Sequence, residues 1–137
     1  MARLWDKGKS LDRRILEFTA GEDHRLDERL VASDVRGSVA HARMLADNGL
    51  LSRDDCEAIV TGLEALGVAH ANGEWTISLE DEDAHTALER RLIERIGDAG
   101  GRVHLGRSRN DQVLTALRLY MKDAIAELGE LAGAVVT

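Results

Sequence analysis

The sequence predicts an all-α fold, and three observations carry that expectation. The 137 residues contain no proline, where average usage gives roughly seven in that length. Aromatic residues make up only 3%, whereas sheet proteins draw on aromatics in strands and on proline in turns. Ala, Leu, Glu and Arg dominate the chain, and these are good helix formers.

The length allows one modest domain with a real core. The expected organisation is a helical N-terminal domain over 1–107 and the start of a long helix over 108–137. Apolar residues at 44% and charged residues at 31% are a globular composition. The net charge of -7 speaks against non-specific nucleic-acid binding, which needs a basic surface. A single cysteine, Cys56, cannot form an intrachain disulfide, fits a reducing compartment and offers no zinc spacing. Met1 to Ser10 is polar and charged, unlike a secretory leader, and no apolar run approaches membrane-spanning length. The expectation is a soluble cytoplasmic protein with neither nucleic acid nor membrane as a partner.

Residues 1–20 mix charge with isolated apolar residues (Leu4, Trp5, Leu11, Ile15, Leu16, Phe18), and a short helix is expected near Leu11–Glu17. The first strong helix is expected to begin at Ser33 or Asp34, either of which can cap it. Val35, Val39, Ala42 and Ala46 then recur at helical spacing, and Asn48-Gly49 is the stop. Ser52 opens the next helix, with Asp55 three residues on as a weak capping box. Cys56, Ile59, Val60, Leu63 and Leu66 are its apolar stripe, and Asn72-Gly73 ends it. The two make a helical hairpin. Glu74 to Leu79 alternates like a strand but is too isolated to build a sheet, so an extended loop is expected. Another helix starts around Asp83, buries Ala87, Leu88, Leu92 and Ile96, and closes at Gly97. Asp98 to Gly106 reads as a glycine-rich loop.

From Ser108 the helical pattern runs unbroken. Leu114, Leu117, Met121, Ala124, Leu128, Leu131 and Val135 are spaced by three and four in alternation, which is a heptad seam. Such a helix is about 40 Å long at 1.5 Å per residue and needs partners beyond this chain. It has no stop signal, so a chain cut in mid-element is the expectation. An ordinary amphipathic helix over the local core is the simpler alternative.

Two constellations can carry chemistry. The first is Gly101 to Gln112, where a glycine loop turns into the long helix. Ser108 can cap it, free backbone N–H groups and the helix dipole favour an anion, Arg107 and Arg109 add planar donor forks, and Asn110 adds a donor and an acceptor. This suits a carboxylate or phosphate, although a capped helix with two solvated arginines accounts equally for the same residues. The second is Glu80-Asp81-Glu82-Asp83-Ala84-His85. Carboxylates at a helix start complement the dipole, or else they form a pocket for a cationic group with His85 one turn from Asp81 and Glu82. Glu82-x-x-His85 matches the pair of di-iron bundles, but that motif is needed twice and occurs once, so no metal is expected. His41, among alanines, is expected to pack in the core. His24 and His70 are expected at the surface, and Cys56 buried and inert.

Gly106-Arg107-Ser108-Arg109-Asn110-Asp111-Gln112 resembles the signature of the argininosuccinate lyases, in the fumarase/aspartase superfamily. Asp81-Glu82-Asp83-Ala84-His85-Thr86-Ala87 with Glu89-Arg90-Arg91-Leu92 looks like that family's acidic-histidine helix. Asp34 to Ala42 resembles its first helix, and Leu4-Trp5-Asp6-Lys7-Gly8 with Phe18-Thr19-Ala20-Gly21 its opening. The four blocks stand in order over nearly the whole chain. The resemblance implies β-elimination of argininosuccinate to arginine and fumarate in arginine biosynthesis, without a cofactor. It implies a homotetramer whose long helices form a central bundle, with active sites where three subunits meet. By matching positions, Ser108, Arg109, Asn110, Asp83 and His85 contact substrate, and Arg107 and Asp81 support them. The family's acid and base, a histidine in a later helix and a serine on a mobile lysine-rich loop, have no counterpart here, so the chain alone is expected to be inactive. Leu105 stands where a threonine is usual, Ala116 where an aspartate is common, and Gly21 where many members carry a substrate-contacting serine, a contact not assigned to Gly21. The alternative function is a non-catalytic oligomerisation or anion-binding module derived from the same family.

Overall fold

Helix α1 spans Arg13–Ala20, a few residues beyond the expected segment. A computed structural model describes residues 12–136. The Leu4 to Gly8 block, Leu11 and Thr137 lie outside the described residues. Asp12 caps α1 by accepting from the Arg14 backbone N–H at 2.9 Å, and Gly21, at φ +51°, ends it. The short α2 (Asp23–Leu26) and a 3₁₀ turn (Asp27–Leu30) then lead without a break into α3 (Val31–Asp47).

That continuity corrects the expected start of α3. Because the residues before Val31 are already helical, Ser33 and Asp34 sit inside α3 rather than at its cap, and both are buried. Val35, Val39, Ala42 and Ala46 are buried on the same helix, as their spacing requires. Gly49, at φ +70°, supplies the left-handed residue after α3. Ser52 caps α4 (Arg53–Ala71) by accepting from the Asp55 N–H at 3.1 Å. Cys56, Ile59, Leu63 and Leu66 are buried, and Val60 packs against them. Cys56 is free and buried, its thiol 3.5 Å from the Ala42 carbonyl.

The segment 74–79 is a loop that bends at Glu74 and turns at Leu79, and it is held by polar clips. Trp75 Nε1 donates to the Leu66 carbonyl at 3.0 Å, and the Arg91 guanidinium lies 4.3 Å from the Trp75 ring centroid, a cation–π contact. His70 tilts against Trp75 at 4.7 Å and sets Nε2 2.5 Å from Glu28 Oε2. The other oxygen of Glu28 accepts from the Ile77 N–H at 2.7 Å. His70 is therefore a half-buried part of this clip, which corrects the surface expectation. His24 is likewise half-buried.

Asp83 caps α5 (Ala84–Ile96), whose Ala84, His85, Ala87, Leu88 and Leu92 are buried. The expected glycine loop is in part a 3₁₀ turn, Gly97–Arg102. Gly100 lies so close to α5 that a Cβ there would sit 2.8 Å from the Ile93 nitrogen. Helix α6 (Arg109–Val136) is the longest element, and among the described residues there is no strand. Its first half packs on α3, with Gln112 and Ala116 buried, Gly37 beside Thr115, and an Arg36–Asp123 ion pair. The seam residues do not enter this core. Leu114, Leu117, Met121, Leu128, Leu131 and Val135 are all exposed, so the simpler alternative of a helix turning its stripe onto the local core does not hold. Ala116, by contrast, is 1% exposed, and a carboxylate in its place would be buried against α3.

Candidate functional site

The start of α6 is organised by its own side chains. The Ser108 N–H and hydroxyl both donate to Asp111 Oδ2, at 3.0 and 2.9 Å, and the Asp111 N–H approaches Ser108 Oγ at 3.3 Å. This is a reciprocal cap of the capping-box kind. The Ser108 hydroxyl bond, followed by its N–H, holds the Asp111 carboxyl below its ordinary value. The preceding loop is tied back to α3, since His41 Nε2 donates to the Leu105 carbonyl at 2.9 Å. His41 is thus half-exposed and a tether, which corrects the expected core packing. Burial is the largest influence lowering its pKa, with the Arg107 and His104 charges acting the same way and the Leu105 bond opposing. Because the loop is held through a main-chain carbonyl, the exposed side chain of Leu105 is free to differ from threonine.

The N-terminal ends of α5 and α6 meet through two of the expected residues. Asp83 accepts from the Thr86 N–H and hydroxyl, both at 2.9 Å, and the Arg109 Nη2 reaches both Asp83 oxygens, at 2.9 and 2.8 Å. Arg109 also donates to the Thr86 hydroxyl. Asn110, beside it, is exposed. Ser108, Arg109, Asn110 and Asp83 therefore gather at one place.

Asp81 does not join them. Its carboxylate is 1% exposed and accepts from the Ser78 N–H (3.0 Å) and hydroxyl (2.9 Å), from Arg90 Nε at 2.8 Å and from Arg91 Nη1 at 3.1 Å. Burial opposes its ionisation, but the Ser78 and Arg91 bonds together outweigh it and hold the carboxyl below its ordinary value. The acidic run is thus divided between an internal ion cluster at Asp81 and a helix cap at Asp83, and not pooled in one cationic pocket.

His85 lies in a buried polar network that the sequence did not disclose. It is 4% exposed, and its Nδ1 is 2.5 Å from Asp34 Oδ2. The Ser38 hydroxyl and Gln112 Nε2 both donate to Asp34 Oδ1 at 3.1 Å, and Arg107 Nη2 donates to Ser38 Oγ at 3.3 Å. His85 Nε2 and Arg107 Nε are buried without a hydrogen-bond partner in the structure. Burial presses the Arg107 guanidinium down from its ordinary pKa, against the pull of Asp34 and Asp111. Nearby, Asp27 accepts from the Ala84 N–H at 3.1 Å. Its carboxyl is raised first by burial and further by the Asp83 charge. The available signal was the placement of Asp34 and Ser38, one turn apart, inside the Val31–Val35–Val39–Ala42 stripe. Polar residues on a buried face need partners.

Residues 11–135 match the model of the family described as Lyase. The chain belongs to the lyase family. Among lyase-family relatives, it is 51% identical over 132 residues to the argininosuccinate lyase of Sorangium cellulosum (strain So ce56), covering 96% of this chain and 31% of that protein. It is 40% identical over 129 residues to that of Thermotoga neapolitana (strain ATCC 49049 / DSM 4359 / NBRC 107923 / NS-E), covering 94% of this chain and 32% of the relative. It is 46% identical over 115 residues to that of Staphylococcus haemolyticus (strain JCSC1435), covering 84% and 25%. The chain therefore spans about a third or less of the length of these lyase-family relatives. Among the described residues, no three His, Cys, Asp or Glu side chains group to hold a metal, and no helix is long and apolar enough to cross a membrane. The start of α6 thus presents the Arg109 guanidinium, the start of α5 presents the Asp83 carboxylate, and the His85 imidazole lies buried on α5 against Asp34.

Proposed function

We propose that this chain forms part of an argininosuccinate lyase, which cleaves argininosuccinate to arginine and fumarate by β-elimination. The observation that carries this reading is the Arg109–Asp83 junction between α5 and α6, in a chain 51% identical to a protein of that name. The substrate bears carboxylates and a guanidinium. The Arg109 fork and the Asp83 carboxylate satisfy each other with the same two kinds of group, and a substrate carboxylate takes Arg109 in the exchange. Ser108 and Asn110 supply further donors at the α6 N-terminus, where the helix dipole favours an anion. His85 completes the wall, Arg107 supports it through Ser38, and Asp81 supports it by fixing the start of α5. Removal of a carbon-bound proton builds negative charge on the adjacent carboxylate, and donors fixed on that charge contribute most to the rate.

On this reading residues 1–107 are the helical domain and 108–137 the beginning of a bundle helix. The exposed seam of α6 (Leu114, Leu117, Met121, Leu128, Leu131, Val135) packs in a cytoplasmic homotetramer whose active sites draw on several subunits. The chain spans 31% of its Sorangium cellulosum relative; on this reading the proton-transfer groups belong to the part it does not span, and the chain alone does not turn over.

A chimera tests this. The chain replaces the matching 132 residues of the Sorangium cellulosum protein, and fumarate release is followed in the ultraviolet. Turnover is expected, with Arg109→Ala lowering kcat/KM on the order of 100-fold, the loss typical of one charge-stabilising donor. A folded chimera that neither binds nor cleaves argininosuccinate overturns the reading.

A further inference from the structure

The Asp34 carboxylate joins three helices at one point. It is 1% exposed and receives the Ser38 hydroxyl from its own helix, Gln112 from α6 and His85 from α5. A carboxylate only accepts hydrogen bonds, so the ring nitrogen that faces it, Nδ1, carries a proton. The remaining nitrogen, Nε2, is buried and has no partner in the structure. Buried polar atoms are paired in the great majority of cases, and an orphan asks for an explanation. The explanation lies in the surroundings. Asp27, which accepts from the Ala84 N–H at the start of α5, and Asp83 itself are acceptors. Among the described residues no N–H donor meets Nε2, and a ligand that carries one fills the place.

We propose that Asp34 is a positioning residue: it locks His85 as the Nδ1–H tautomer so that the bare Nε2 accepts a hydrogen bond from an N–H of the bound substrate. This rests on the reading that argininosuccinate binds between the ends of α5 and α6. Which ring nitrogen is protonated is set by the bond the other one makes. Gln112 also fastens α6 to the same carboxylate. The tautomer of His85 and the placing of the helix that carries Arg109 therefore share one anchor.

Asp34→Asn separates this role from mere packing. Ser38 and Gln112 both donate to one oxygen, so the asparagine oxygen takes that place and its NH₂ faces His85. Nδ1 must then accept, and the ring turns to the Nε2–H tautomer. The measurement is a long-range ¹H–¹⁵N spectrum of the 137-residue chain with ring-¹⁵N histidine, at neutral pH. Nδ1–H with a bare Nε2 is expected in the wild-type chain, and Nε2–H in folded D34N. A wild-type ring with Nε2 protonated, alone or together with Nδ1, overturns the proposal without any variant. So does a folded D34N that keeps Nδ1–H. In the chimera, D34N is expected to lower kcat/KM on the order of 10⁴-fold, as a wrong histidine tautomer does in a hydrolase triad. An equally active D34N overturns the proposal. A wild-type chimera that does not cleave argininosuccinate overturns the functional reading instead and leaves the tautomer result standing.

Discussion

At the scale of single residues, Asp81 ties the turn before α5 to the body of that helix. Four donors converge on a buried carboxylate, and burying a charge is tolerated only with such pairing. Asp81→Asn keeps the shape but removes the charge that Arg90 and Arg91 neutralise. It is expected to destabilise the fold by about 2 kcal/mol, the scale of hydrogen bonds to a charged group, read as a lower urea midpoint. The pH dependence has a definite sign. The folded carboxyl titrates below its unfolded value, which is about 3.9. Its contribution is therefore full above that value and is lost as the pH falls through the folded one. Acid unfolding of wild type and D81N should converge at the low end, and a constant gap between the two curves down to that end would contradict the assignment. The residues show where sequence reading stops. A helix start around Asp83 and Ser108 as a cap were both legible, because each stands where a helical pattern begins. Asp34 was misread as a cap for the same local reason. Its partners stand 51 and 78 positions away, and no local rule brings them together.

Among the elements, α4 and α5 touch where a side chain is missing. A Cβ at Gly62 would lie 2.6 Å from Leu92 Cδ1 and 3.5 Å from Ile96 Cγ2, whereas one at Gly67 would meet Val35 at an ordinary 3.5 Å. Both glycines are in the interior of α4, where alanine is the better helix former by about 1 kcal/mol. Gly67→Ala is therefore expected to raise the thermal midpoint. Gly62→Ala is expected to lower stability by about 1–2 kcal/mol, because Leu92 is fully buried and overpacking a filled core costs that much. Opposite shifts in differential scanning calorimetry would support this, and two equal gains would contradict it. The helices themselves were readable from apolar spacing and from Asn48-Gly49, Ser52, Asn72-Gly73 and Gly97. The start of α3 was not, because the turn over Asp27–Leu30 supplies helical backbone without a cap residue to announce it.

For the whole molecule, the second half of α6 has no core to cover. Ile125, Leu128, Leu131 and Val135 are all more than half exposed, and each such side chain is worth about 2 kcal/mol when buried. If the seam assembles copies of the chain, Met121→Glu with Leu128→Glu should convert an oligomer into monomers by sedimentation velocity while the helix content stays the same. A wild-type chain that sediments as a monomer at every concentration would remove the seam from the assembly. The long helix and its apolar stripe were legible because spacing by three and four needs no long-range knowledge. The packing of Gln112 and Ala116 on α3 was not, since it uses the other side of the same helix. The Asp34 anchor also orders events in time. During synthesis from the N-terminus, the α3–α4 hairpin has its apolar partners as soon as Leu66 has emerged. Asp34 must wait for His85 and then for Gln112. Until that residue leaves the ribosome, the hairpin carries a carboxylate on its inner face with only Ser38 to meet it, and water must stay there. Gln112 stands just beyond Ser108, Arg109 and Asn110, so a nascent chain that has paired Asp34 has also completed this face.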